Sequence, residues 1–217
     1  CRAMAGFSLV ELMLSLSLGL VFSGSILQGL IAEGQNGARL SRLMRERAAQ
    51  QRTLELLKQD LAQATAVSAT PDLEQHSCSL AGRRVVLHLR TGVGPITYSL
   101  GAPPSGIWRG QVLMRCGPSF GLDGLITGSS TPLNRVVLDG LAARSTQPPG
   151  CSALLPLAVS TPVDLASSSA LGFTACLEAG TGLLALRLEQ TFAQSGLRAE
   201  QRIRQMRLVQ LPFSFPS

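Results

Sequence analysis

Residues 7–31 constrain this chain more than any other stretch. Phe7, Leu9, Val10, Leu12, Met13 and Leu14 open a run that continues through Leu20, Phe22, Ile26 and Leu30 to Ile31. It is the only run long enough to cross a bilayer, which takes about 20 mostly apolar residues. As a helix rising about 1.5 Å per residue it covers roughly 37 Å. Two features set it apart from a plain anchor. Glu11 puts a carboxylate inside it, which costs roughly 2.5–3.5 kcal/mol at the centre of a membrane helix. Gly6, followed at once by Phe7, opens it. One account of Glu11 is local: Ser8-x-x-Glu11 has the spacing of a capping box, with Ser8 capping the first turn and Glu11 reaching back to it.

Within the apolar run, Ser15, Gly19 and Ser23 recur every fourth residue, with Ser25 and Gly29 a second such pair. Small residues at this spacing let helix backbones approach closely in lipid. They also weaken simple hydrophobic anchoring, so helix packing is the expected role. Past the run, Leu40, Leu43, Met44, Ala48, Leu54, Leu57, Leu61 and Ala64 recur at helical spacing, with Arg42, Arg45, Arg52, Lys58 and Asp60 among the polar residues between them. That pattern predicts an amphipathic helix with one core-facing stripe, ending near Val67 ahead of Pro71. From Phe7 such a helix is about 60 residues long, or roughly 90 Å.

The period then changes to two. Arg83–Arg90, Pro95–Leu100, Gly106–Arg109, Gln111–Cys116, Arg135–Asp139, Leu183–Gln190 and Gln201–Val209 read as strands. Pro95–Leu100 and Gly106–Arg109 flank a Pro/Gly-rich connection and are expected to form a hairpin. Residues 143–161 read as a long surface loop carrying Cys151. The final two strands form a second hairpin around Ser195-Gly196.

Composition bounds the rest. A chain of 217 residues has room for one anchor and one compact domain of about 150 residues. Aromatics at 4% argue against a stacking surface for single-stranded nucleic acid. The net charge of +6 invites a DNA reading, with Arg202, Arg204 and Arg207 as the candidate contacts. The arginines divide, however, between one helical segment (Arg39 to Arg52) and one terminal strand, as solvated faces do. Cys78, Cys116, Cys151 and Cys176 are an even set beyond the apolar run, the pattern of a disulfide-permissive compartment. Four cysteines allow three pairings; neighbours, Cys78 with Cys116 and Cys151 with Cys176, are the expected ones because short-range bridges close more easily. With no C-x-x-C, and His76-x-Cys78 too isolated for zinc, no metal or other cofactor is expected. Nucleophile-elbow, P-loop and H-E-x-x-H patterns are all missing from the sequence. The expectation is a protein that is not an enzyme, with no catalytic residues.

Gly6-Phe7-Ser8-Leu9-Val10-Glu11 resembles the class III signal of type IV pilins and pseudopilins, a glycine, an aromatic residue and a fifth-position glutamate before an apolar helix. The resemblance implies that a membrane-embedded prepilin peptidase cuts between Gly6 and Phe7 and methylates the new terminus at Phe7. Residues 1–6, Cys1 included, then leave as a leader. Glu11 becomes the assembly charge, its desolvation offset by the cationic terminus of another subunit's Phe7. The run Arg47–Leu61, the segment Ile96-Thr97-Tyr98-Ser99-Leu100 with the later Trp108-Arg109, and the last two strands are similar to J-type minor pseudopilins of type II secretion and PilW-like minor pilins.

That likeness implies an α+β fold, a long N-terminal helix packed on an antiparallel sheet. It divides the chain into a leader (1–6), a transmembrane half-helix (7–31), an amphipathic half-helix (32–67) and a disulfide-stapled β-rich extracytoplasmic domain (68–217). It also implies a minor subunit that primes or caps a type IV pilus or type II secretion pseudopilus. The implied location is the inner membrane, single-pass. Implied partners are other pilin or pseudopilin subunits, the prepilin peptidase, the inner-membrane assembly platform and membrane lipid. The family's calcium-binding carboxylate loops have no counterpart, so no metal is implied. Lys and Arg counts near the helix ends point to the opposite orientation, since only Arg2 precedes the run; the cysteines and the signal outweigh them, and further basic residues upstream of Cys1 are expected. Two alternatives stay open: a DNA-binding competence pilin and a single-pass receptor or sensor.

Overall fold

A computed structural model describes residues 8–68, 78–128, 131–144, 150–158, 160–166, 172–193 and 200–212. The expected leader, with Gly6, Phe7 and the expected turn at Ser195-Gly196, lies outside the described residues. Helix α1 spans Leu9–Ala62, 54 residues. Its first bond runs from the Leu12 N–H to the Ser8 carbonyl at 3.1 Å, so Ser8 is the residue at which the helix begins. The chain forms two compact units, Cys1–Arg47 and Ala48–Ser217.

In the first unit, Leu9–Ile31 is 23 residues of mean hydropathy 1.8 and is long and apolar enough to cross a membrane. Every large apolar side chain in it is at least half exposed, the least being Leu18 at 50%. Leu40 and Met44, which the sequence pattern counts with the core-facing stripe, are exposed as well.

The second unit is an α+β domain whose sheet is antiparallel throughout. The helix stops at Ala62, where the Gln63 N–H turns back to the Asp60 carbonyl at 3.2 Å. Residues Ala64–Ser68, expected to be the last helical turn, instead form strand β1. Thr65 and Val67 are β-branched and suit a pleated strand better than a helix end. Pairing Val67 with Leu89 buries Ala64 and Val67 while completing the sheet edge. Strands β2 (Arg84–Thr91), β3 (Gly94–Gly101), β4 (Gln111–Gly117) and β5 (Leu133–Leu141) follow as a meander. The hairpin partner of β3 is β4, not Gly106–Arg109. That segment is turn, with Pro103 and Pro104 lacking N–H donors and Gly110 at φ 57°.

A second set of strands comprises β6 (Val163–Asp164), β7 (Phe173–Glu178), β8 (Leu183–Ala193) and β9 (Glu200–Gln210). It joins the meander where Leu141 pairs with Gln190. Gly172 sits at that junction: a Cβ there would lie 2.7 Å from the Ala142 nitrogen and 2.8 Å from the Glu189 carbonyl oxygen, so only glycine fits. A short helix, α2 (Cys151–Leu154), falls in the region expected to be loop. Leu154 and Leu155 beside it pack on Cys176 and Ala185.

Leu54, Leu57 and Leu61 of α1 enter one core with Val86, Leu87 and Leu89 of β2, Tyr98 of β3, and Leu184, Leu186 and Leu188 of β8. Consecutive residues are buried along β2, β3, β4 and β8, so these strands are covered on both faces. Each fully buried leucine contributes about 1.5–3 kcal/mol relative to exposure. Disulfides Cys78–Cys116 and Cys151–Cys176 fasten chain segments to β4 and β7, with Cα separations of 6.0 and 5.4 Å. By loop-closure entropy each is worth about 3.5–4 kcal/mol.

Candidate functional site: one helix with two different carboxylates

In the first unit the features of interest lie on the exposed apolar helix. Serines 15, 17 and 25 each donate back to a carbonyl of the preceding turn, Ser15 Oγ to Glu11 O at 2.8 Å, Ser17 Oγ to Leu14 O at 2.9 Å and Ser25 Oγ to Val21 O at 2.9 Å. Those hydroxyls are thereby compatible with lipid, because no polar hydrogen is left unpaired. Gly19 and Gly29 have no neighbour within 4 Å of a Cβ position, and Ser15 and Ser23 are equally exposed, so this face is open to another helix. Among the described residues, neither the Ser8 hydroxyl nor the Glu11 carboxylate has a bonding partner, so the capping-box contact is not made.

In the second unit the stripe of α1 that faces the sheet is Gln50, Thr53, Leu54, Leu57, Asp60 and Leu61. Half of it is polar, and each polar member is bonded to a different strand. Gln50 Nε2 donates to the Ile203 carbonyl of β9 at 3.2 Å. Thr53 Oγ1 lies 3.0 Å from the Val137 carbonyl of β5, sharing its proton with Ala49 O one turn back. Asp60 is the strongest of the three. Arg115 of β4 forks onto it, Nε to Oδ2 at 2.7 Å and Nη2 to Oδ1 at 2.9 Å, and the Tyr98 hydroxyl of β3 donates to Oδ2. Arg115 also donates to the Pro118 carbonyl at 2.8 Å and stacks over the Phe120 ring, 5.0 Å from its centroid.

Burial pushes the Tyr98 hydroxyl well above its ordinary pKa, and the charge and hydrogen bond of Asp60 add to the rise. For Arg115, burial pulls downward, but the bonds and charge of Asp60 outweigh it and hold the guanidinium above its usual value. The tyrosine hydroxyl and the guanidinium therefore keep their protons and both donate to Asp60, a closed set with no free nucleophile. Chemically it is a clamp of helix to sheet. Sequence reading missed it; the available signal was a carboxylate placed between Leu57 and Leu61 on the stripe.

The arginines proposed for DNA divide between two faces. Arg202 and Arg204 both bond Glu189, at 2.9 and 3.2 Å, and Arg187 joins them at 2.9 Å. Burial lowers the Arg187 pKa and the charge of Arg204 adds to that, against the opposing pull of Glu189. Arg207, on the opposite face of β9, pairs with Glu55 of α1 at 3.0 Å. The three do not make one cationic stripe. His88 is buried against Thr97 Oγ1 at 2.9 Å, and no group of His, Cys, Asp or Glu able to hold a metal occurs among the described residues. No family model, curated protein or solved structure matches this chain.

Proposed function

We propose that this protein is a minor pilin or pseudopilin, a non-catalytic assembly subunit processed between Gly6 and Phe7. The observation that carries the reading is the apolar helix Leu9–Ile31, none of it buried, which begins directly behind Gly6-Phe7-Ser8 and carries Leu9-Val10-Glu11 as its first residues. A helix that is hydrophobic all round requires lipid or other helices about it. Glu11, exposed and without a partner among the described residues, then needs a cation from outside the chain, and the new amino terminus of a neighbouring subunit supplies one. The polar clamp at Asp60 supports the same reading, because it fixes the end of α1 to the domain that the filament carries. Other pilin or pseudopilin subunits, the peptidase, the assembly platform and lipid are the partners this reading requires.

The test is co-expression of the full chain with a prepilin peptidase, followed by mass spectrometry of its amino terminus. The expected product begins at N-methylated Phe7. An uncut chain, or one cut elsewhere, would overturn the proposal.

A further inference from the structure

The open edge of the second unit carries an inference that does not depend on processing of the amino terminus. Among the described residues, strand β9, 11 residues long, pairs with β8 alone. Its backbone orientation follows from the register. The Leu211 N–H donates to the Gly182 carbonyl at 3.0 Å, continuing the register in which Val209 faces Leu184 and Arg207 faces Leu186. Odd-numbered residues of β9 therefore turn their N–H and C=O groups toward β8, and even-numbered ones turn them away. The other side of β8 agrees: the Glu189 N–H goes to Gly172 O at 2.8 Å and its carbonyl accepts from Ala142 N at 2.9 Å, both away from β9.

Arg204, Met206 and Leu208 thus point backbone donors and acceptors outward. Among the described residues nothing bonds those groups. Their side chains lie in one row on the outer face, Met206 51% and Leu208 50% exposed, and the Arg204 side chain 41% exposed. At the Arg204 end, three guanidiniums (Arg187, Arg202 and Arg204) crowd one carboxylate, Glu189.

We infer that this edge takes an extended segment of a partner protein as an added strand, one with a carboxylate opposite Arg204 and apolar side chains opposite Met206 and Leu208. Backbone pairing supplies the affinity and the facing side chains supply the choice of partner. A second copy of this chain does not offer that match. Two-fold self-pairing of the outward residues sets an acid, Glu200, against Arg204 only in the register centred on Arg202, and in that register Met206 and Leu208 lie beyond the partner's β9, which begins at Glu200.

The probe is a fluorescent extended peptide alternating glutamate with valine, titrated against the full chain in detergent micelles, beside a control with lysine in place of glutamate. The glutamate peptide is expected to bind roughly tenfold more tightly than the control. Met206→Pro is expected to abolish that binding while leaving the melting midpoint in place, because the deleted N–H faces outward and the β8 ladder keeps its bonds. Arg204→Glu, which does not touch the backbone, should reverse the preference between the two peptides, and it decides the matter should the proline variant fail to fold. Equal affinity for the two peptides, no binding of the glutamate peptide, or undiminished binding by a folded Met206→Pro protein would each overturn the inference. So would a dimer of the chain that Met206→Pro dissolves, since the edge would then belong to a second copy.

Discussion

Glu11 and Asp60 sit on one helix and meet opposite fates. Asp60 is completely buried and accepts three hydrogen bonds, two from Arg115 and one from Tyr98, so it is satisfied within its own domain. Glu11 is exposed among leucines and has no partner among the described residues. A buried carboxylate survives only when its charge is matched and its lone pairs are filled. The chain solves that requirement for Asp60 from its own strands and leaves it unsolved for Glu11. The difference teaches that one acid belongs to the folding of the domain and the other to whatever surrounds the apolar helix.

The largest expected effect comes from breaking the solved case. Asp60→Ala strands the Arg115 guanidinium in the core and should cost about 3–5 kcal/mol, lowering the melting midpoint of the full chain in detergent by roughly 10 °C. Glu11→Ala should leave the midpoint where it is. Calorimetry on both variants checks the contrast, and an equal loss in the two would erase it. A smaller effect tests the same division among leucines. Leu57 is fully buried, so Leu57→Ala should cost about 2–5 kcal/mol. Leu20, 67% exposed, should be replaceable by alanine with no change in the melting of the domain.

The sequence made one of these halves plain and the other only in outline. The apolar segment is legible because nothing but lipid or helices suits an unbroken apolar run. Leu54, Leu57 and Leu61 are legible by their spacing. Gln50, Thr53 and Asp60 are not, because a polar residue on a stripe looks the same in sequence whether it faces water or a buried partner. Ala64 continued the helical spacing and so hid β1, whose identity depends on pairing with β2, far along the chain. Strand β7 escaped notice for a related reason. Phe173-Thr174-Ala175-Cys176-Leu177-Glu178 is buried at every position, and a strand covered on both faces shows no alternation. The clamp was out of reach because Arg115 is 55 residues from Asp60, and only the fold brings them together.

The smallest effect isolates the hydroxyl that completes the clamp. Tyr98→Phe removes one donor to a charged acceptor, worth about 1.5 kcal/mol, while Arg115 keeps hold of both carboxylate oxygens. Its pH dependence is more telling than its size. Burial, then Asp60, raises the Tyr98 pKa well above its ordinary value of 10.0. Below about pH 10 both the folded and unfolded chains keep the phenolic proton, and the hydroxyl's contribution is fully present. Above that, the unfolded chain loses the proton while the folded chain retains it, so the unfolded state binds fewer protons and stability falls as pH rises. Melting midpoints taken from pH 8 to pH 11 should therefore drop more steeply for the native chain than for Tyr98→Phe. The sequence contains a single tyrosine, so tyrosinate absorbance reports this group alone. It should appear together with unfolding and not before it; tyrosinate formed in the folded chain near pH 10 would mean that Tyr98 is not sealed against Asp60.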